Sequence, residues 1–226
     1  MRILLSMLLC LLLSHSTFAV QQIVSRDFKI IDKNLFNDER YELMKHYTKH
    51  HYDLDHANLI DPKMIVVHFT ALGSLKLSMR AFEPIEMPTF RDRLLAYGKV
   101  NVGTHYLIDK NGEIYQLYPT TVIVRHVIGF NHTAIGIELV GAGEPELRFN
   151  QLKAATQLIE YLSRAHPSVE YMIGHMEYMN RTLEHFKLYN AKDKTYQPSI
   201  KLDPGFDTMR RIRNYLKQDY GLIFKK

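Results

Sequence analysis

Two histidines and one aspartate stand at the ends of short, distinctive stretches. They are His68 in Val66-Val67-His68-Phe69-Thr70, His175 directly after Gly174, and Asp203 in Lys201-Leu202-Asp203-Pro204-Gly205. Two imidazoles and a carboxylate leave the fourth tetrahedral position of a zinc ion open for water, as in catalytic sites, whereas structural zinc is closed by four protein ligands, mostly cysteine. The chain has a single cysteine. Glu138, in Gly136-Ile137-Glu138-Leu139, supplies a second carboxylate, and Lys201 an ammonium. Together these residue types point to metal-assisted hydrolysis with a carboxylate as general base.

Each of these residues also has a plainer reading. A histidine at the end of an apolar strand is often a satisfied core residue, although two such histidines in one small domain favour a shared ligand pair. Asp203 could cap the helix that follows Gly205, and Pro204 pushes it into an extended conformation. Strand alternation sets Glu138 opposite Ile137 and Leu139, so it is either exposed or aimed into a site. Gly136 and Gly141 strip bulk from its surroundings, as a groove admitting a polymer requires. His46, His50, His51 and His56 follow no strand-end pattern with a carboxylate and read as solvated or packing residues.

The elements that position these groups are legible in outline. Met64 to Phe69 is a β-branched apolar run bounded by Asp61-Pro62, which reads as a buried strand, and Ile135 to Val140 and Val169 to Ile173 read likewise. Thr104 to Ile108 and Glu113 to Leu117 flank Asn111-Gly112, a strong hairpin signal. Helices are expected around Asn37 to His50, over 74–84, from a cap at Asn150 to Ala165, and over Phe206 to Tyr220. Strands mixed with helices at this spacing imply one α/β domain, a single mixed central β-sheet with flanking helices.

Residues 1–19 are set apart: Met1-Arg2, an apolar run from Ile3 to Leu13, and Thr17-Phe18-Ala19 read as a secretory signal peptide. The apolar run is too short for a bilayer core, which needs about 20 residues. Cys10 follows Leu9 inside that run, which argues against a lipid anchor, so no stable membrane anchor is expected. Removing residues 1–19 takes Arg2 from the 29 Lys+Arg and leaves 28 against 24 Asp+Glu, a net +4. An exported chain without cysteine has no disulfides and depends on a packed core. The positive charge favours an anionic partner such as cell wall polymer, nucleic acid or membrane surface, and export makes nucleic acid the least suited of these. Residues 20–60 form an N-terminal extension and 61–226 the catalytic domain.

With these residues in hand, the chain resembles a known family. Val-Val-His-Phe-Thr, His105 to Gln116, Arg125-His126 with Asn131 to Gly141, and Gly-His followed by Lys-x-Asp-Pro-Gly are similar to the zinc-dependent N-acetylmuramoyl-L-alanine amidases of type 2, a family that includes the peptidoglycan recognition proteins. The likeness runs from about residue 62 to 215. It implies a zinc ion in a surface groove, held by His68, His175 and Asp203, with Glu138 as the catalytic carboxylate and Lys201 stabilising the oxyanion. It places His126 and Asn131 among substrate-binding residues. The phage and animal branches use a cysteine as third ligand and a tyrosine near Thr104; this chain has Thr104 and Glu138 instead, which is the bacterial pattern. Its stretch between His175 and Asp203 is longer than in that branch, so a polar insertion at about 181–199 is expected to form a loop beside the groove. The implied activity is hydrolysis of the amide between N-acetylmuramic acid and L-alanine in peptidoglycan or muropeptides, by a monomer in the periplasm or cell envelope, or secreted. The alternatives are a non-catalytic peptidoglycan-binding module and a secreted effector against a competitor's wall.

Overall fold

The structure is a computed structural model and describes residues 29–143 and 146–226. The expected signal peptide lies outside the described residues. Six strands form one sheet: β1 (Ile30–Asp32), β2 (Met64–Phe69), β3 (Tyr106–Ile108), β4 (Ile114–Gln116), β5 (Ala134–Leu139) and β6 (Tyr171–Gly174). Their order is β1-β4-β3-β5-β2-β6. Only β3 and β4 are antiparallel; every other neighbouring pair is parallel. The sheet is therefore mixed, as expected. The helices are α1 (Asp38–Tyr52), α2 (Leu75–Phe82), a single turn α3 (Asp92–Leu95), α4 (Phe149–Ala165) and α5 (Phe206–Tyr220).

β2 lies inside the sheet between β5 and β6 and is buried along its whole length. That is why it reads as an apolar run instead of alternating with polar residues, the pattern of parallel strands covered on both faces. On one face Ile65, Val67, Ile135, Ile137, Leu139 and Met172 share a core with Leu152, Ala155, Leu158, Ile159 and Leu162 of α4 and Met209, Ile212 and Leu216 of α5. On the other face Met64, Val66, Ala134, Tyr171 and Ile173 pack with Val127, Phe130 and Tyr178. His68 and Glu138 continue this second face to the carboxyl ends of their strands.

The described part of the N-terminal extension is built into the domain. β1 adds an edge strand parallel to β4. Asn37 caps α1, its side chain accepting from Arg40 N at 2.9 Å, a bond worth about 1 kcal/mol. The expected cap at Asn150 is corrected, and the alternative cap at Asp203 is not formed. α4 begins at Phe149 with Arg148 in the cap position and no side-chain cap bond, so Asn150 lies in the first turn. Gly112 takes φ +93 in the hairpin turn, and a Cβ there would sit 2.8 Å from the Asn150 carbonyl oxygen; the backbone of Asn150 packs on the hairpin, while its side chain caps nothing. α5 starts from Gly205 at φ 95, also without a side-chain cap bond, so Asp203 is not the cap of α5. Among the described residues, no helix is long and apolar enough to cross a membrane.

Candidate metal and catalytic site

Parallel register brings the chemistry together. His68 pairs with Glu138 and Val67 with Gly174, so His68, Glu138 and His175 emerge side by side at the carboxyl ends of β2, β5 and β6. Ligands in open α/β sheets bind outside this edge. Asp203 joins them from the loop before α5. A side chain at Gly174 would place its Cβ 2.9 Å from both Pro204 Cδ and Met209 Cγ, so the missing Cβ is what lets the Asp203-Pro204 segment seat there. Met176 N donates to Asp203 O at 2.8 Å and fastens that seat.

Three donor atoms converge. His68 Nδ1 lies 3.0 Å from His175 Nδ1 and 3.3 Å from Asp203 Oδ2, and His175 Nδ1 lies 3.0 Å from Asp203 Oδ2. Zinc bonds of about 2.0–2.1 Å at tetrahedral angles set donors roughly 3.3 Å apart, so the trio has the spacing of a zinc site. The hydrogen bonds behind it fix which atom of His68 is bare. His126 Nε2 faces the Ala134 carbonyl at 3.4 Å, and a carbonyl only accepts, so Nε2 carries the proton. His126 Nδ1 is then an acceptor, 3.1 Å from His68 Nε2, which must donate. The lone pair of His68 is left on Nδ1, facing the trio. Support of this kind behind a ligating histidine sets its tautomer and ring orientation.

The charge states suit a metal as well. Burial, with His68 adding, pushes His175 down to about 4 although Asp203 opposes the shift. Burial opposes the charge of Asp203, yet with His175 and His68 beside it the carboxyl stays well below the usual carboxylate range. Neutral imidazoles and an ionised carboxylate are the ligand-competent forms. Glu138 is different: burial pushes it up to about 7, Asp203 adding and His68 opposing. Its Oε2 is buried without a hydrogen-bond partner. Lys201 is partly buried, near enough that its charge helps to lower His175.

The space expected beside Gly136 and the side chain of Asn131, expected among substrate-binding residues, are both taken up by packing. A Cβ on Gly136 would fall 2.9–3.0 Å from the ring atoms of His126, so the space cleared by that glycine is filled by His126 and is not open groove. Asn131 is fully buried. Its Oδ1 accepts from the backbone N–H of His126 at 2.9 Å and of Val127 at 2.6 Å, and its Nδ2 donates to Tyr47 and Tyr52 at 3.1 and 3.0 Å. It sits behind His126 and anchors that segment to α1. The region 181–199 contains a 3-10 turn, Glu184–Leu188, and is pinned at Tyr178, whose hydroxyl bonds Ser199 N and O. The Tyr178 ring is 5.3 Å from that of His175.

Three supporting residues went unnoticed in the sequence. Glu177 accepts from Gly174 N at 2.9 Å and from both Arg213 nitrogens at 3.1 and 2.6 Å. It holds the start of the His175 loop against α5. Its spacing from Gly174 is that of a capping box, a signal that was available. His105 accepts from Gly136 N at 2.9 Å and donates to the Val122 carbonyl at 3.0 Å; only the fold reveals that role.

A strand-end pair of imidazoles with one carboxylate, backed by a histidine and flanked by a glutamate with an unpartnered oxygen, is a donor set that could hold a zinc ion. Residues 58–205 match the N-acetylmuramoyl-L-alanine amidase family, and the chain belongs to that family. It is 30% identical over 84 residues to an endolysin of Enterobacteria phage K11, a match covering 34% of this chain and 56% of that protein, so it spans about half the length of that relative. Among solved structures it is similar to a selenomethionine derivative of AmpD, with 22% identity, 69% of this chain and 84% of that chain covered, and a TM-score of 0.47. It is also similar to the PGRP-SA protein of Apis mellifera, with 20% identity, 71% and 92% covered, and a TM-score of 0.47.

Proposed function

We propose that this chain is a zinc-dependent peptidoglycan amidase that cleaves the bond between the lactyl carbonyl of N-acetylmuramic acid and the L-alanine of the stem peptide. The family supports the class. The observation that carries the finer reading is the convergence of His68 Nδ1, His175 Nδ1 and Asp203 Oδ2 beside the unpartnered Glu138 carboxylate. A recognition module without catalysis has no need of a carboxylate at that position with one oxygen buried and unpartnered, where desolvation costs stability.

His68, His175 and Asp203 would hold the metal. Zinc there supplies Lewis-acid polarisation of the scissile carbonyl and lowers the pKa of water toward about 7. Glu138 holds the attacking water, takes its proton and returns it to the amine of the departing L-alanine. Lys201 offers its ammonium to the developing oxyanion, a contribution of about 3–4 kcal/mol when one such donor is lost. His126 keeps the His68 lone pair aimed inward. The expected signal peptide places the reaction in the periplasm or cell envelope, or outside the cell, and the enzyme acts as a monomer.

The test is mass spectrometry of intact muropeptides treated with zinc-loaded protein. The expected products are a free stem peptide beginning at L-alanine and a sugar bearing an unmodified lactyl carboxylate. Binding of the wall without release of peptide from any preparation would instead establish a recognition module.

A further inference from the structure

The last turn of α1 meets the 189–199 stretch of the polar insertion. Lys192 N donates to His51 O at 2.8 Å and Asn190 N to Gly129 O at 2.9 Å. Between them lies a second group of two histidines and an aspartate. His51 is fully buried. Its Nε2 lies 2.7 Å from the Tyr97 carbonyl, which only accepts, so the ring proton is on Nε2 and Nδ1 is a bare lone pair. That Nδ1 is buried and has no hydrogen-bond partner. It faces Asp193 Oδ2 at 3.9 Å.

The aspartate is held as firmly. Its side chain is 2% exposed. Oδ1 is occupied by Thr195 N at 2.8 Å and Thr195 Oγ1 at 2.6 Å, which turns Oδ2 toward the histidines. His50 Nε2 lies 3.1 Å from that oxygen. The buried Nδ1 of His51 is an acceptor without a donor and faces a carboxylate oxygen that His50 approaches from one side only, so a cation between them would satisfy both atoms. A metal ion satisfies both atoms, and the side chain of His50, 59% exposed, leaves one side open to water. Arg125 in the same region is already spent on the carbonyls of Leu94, Gly98 and Val100.

We propose that His50 Nε2, His51 Nδ1 and Asp193 Oδ2, which all lie within 4.8 Å of one another, form a second divalent-metal site that fastens the insertion to α1. Two imidazoles and one carboxylate select zinc or another first-row transition ion over calcium or magnesium, which prefer all-oxygen ligands.

The experiment is a calorimetric zinc titration of untagged protein stripped of metal, comparing wild type, His50→Ala, Asp203→Ala and the double variant. Wild type is expected to bind two zinc ions, each single variant one, and the double variant none. Zinc should raise the melting temperature of Asp203→Ala but not of the double variant. Superimposable isotherms for wild type and His50→Ala would overturn the proposal. If His50→Ala loses one ion and Asp203→Ala loses none, the second site stands and the metal assignment at the strand ends fails. Asp193→Asn, with circular dichroism to confirm folding, repeats the test from the buried partner and must also lose one ion.

Discussion

The two histidine and aspartate groups contain the same side chains and differ in how the chain holds them. His68, His175 and Asp203 come from three separate stretches, and parallel register of β2 with β5 and β6 brings the first two together. His50 and His51 are neighbours in one helix turn and meet Asp193 from a long polar segment. Behind the first group stands another histidine that sets a tautomer; behind the second stands a backbone carbonyl. Beside the first is the unpartnered carboxylate of Glu138. A metal can be fastened by either arrangement, but hydrolysis needs the proton acceptor that only the strand-end group has among the described residues.

That contrast can be broken most severely at Asp203. Asp203→Ala should abolish stem-peptide release, while elemental analysis of zinc-equilibrated protein still finds the ion held by the α1 group. Next in size is Asn131→Ala, which leaves the buried N–H groups of His126 and Val127 without their acceptor. Each orphaned donor costs about 1–3 kcal/mol, so thermal denaturation should show a clear loss of stability. Zinc affinity at the strand ends should fall with it, while the α1 group retains its ion.

Gly136→Ala acts on the same support from the other side. Its Cβ would press on His126 at 2.9–3.0 Å; forced repacking of this kind costs about 1–3 kcal/mol, and disturbing the partner of a ligating histidine weakens metal binding about 10–100-fold. Competition with a chelator reads the affinity directly. The smallest effect is on pH dependence. Burial holds His105 and His132, which lie outside both groups, down to about 4, below their unfolded value near 6.5. The stability they contribute is fully present above pH 6.5 and is lost as pH falls from there toward 4, by about 1.4 kcal/mol per pH unit for each group. Chemical denaturation of metal-free protein across that window measures it, and His132→Phe should flatten the slope.

The strand-end site was legible because its residues interrupt strong local patterns. His68 ends an unbroken apolar strand, His175 follows a strand and a glycine, and Asp203 precedes a proline and a helix. The hairpin at Asn111-Gly112 and the span of α5 were legible for the same reason. What escaped depends on burial and on contacts between distant stretches. The resemblance sets Asn131 among substrate-binding residues, yet its four bonds are made inside the protein. Gly136 reads as a cleared space, and a ring from a different loop fills it. His51 looked like one of several solvated histidines, because nothing near it in sequence announces the Asp193 carboxylate that the fold sets beside it.

In the proposed mechanism Glu138 performs general-base catalysis beside a metal held by His68, His175 and Asp203. The most direct measurement is single-turnover release of stem peptide from a defined muropeptide by zinc-loaded wild type and Glu138→Gln, with zinc content determined on the same samples. Full zinc is expected in both, with a rate about 10² to 10⁴ lower in the variant. Equal rates at equal zinc content would contradict it.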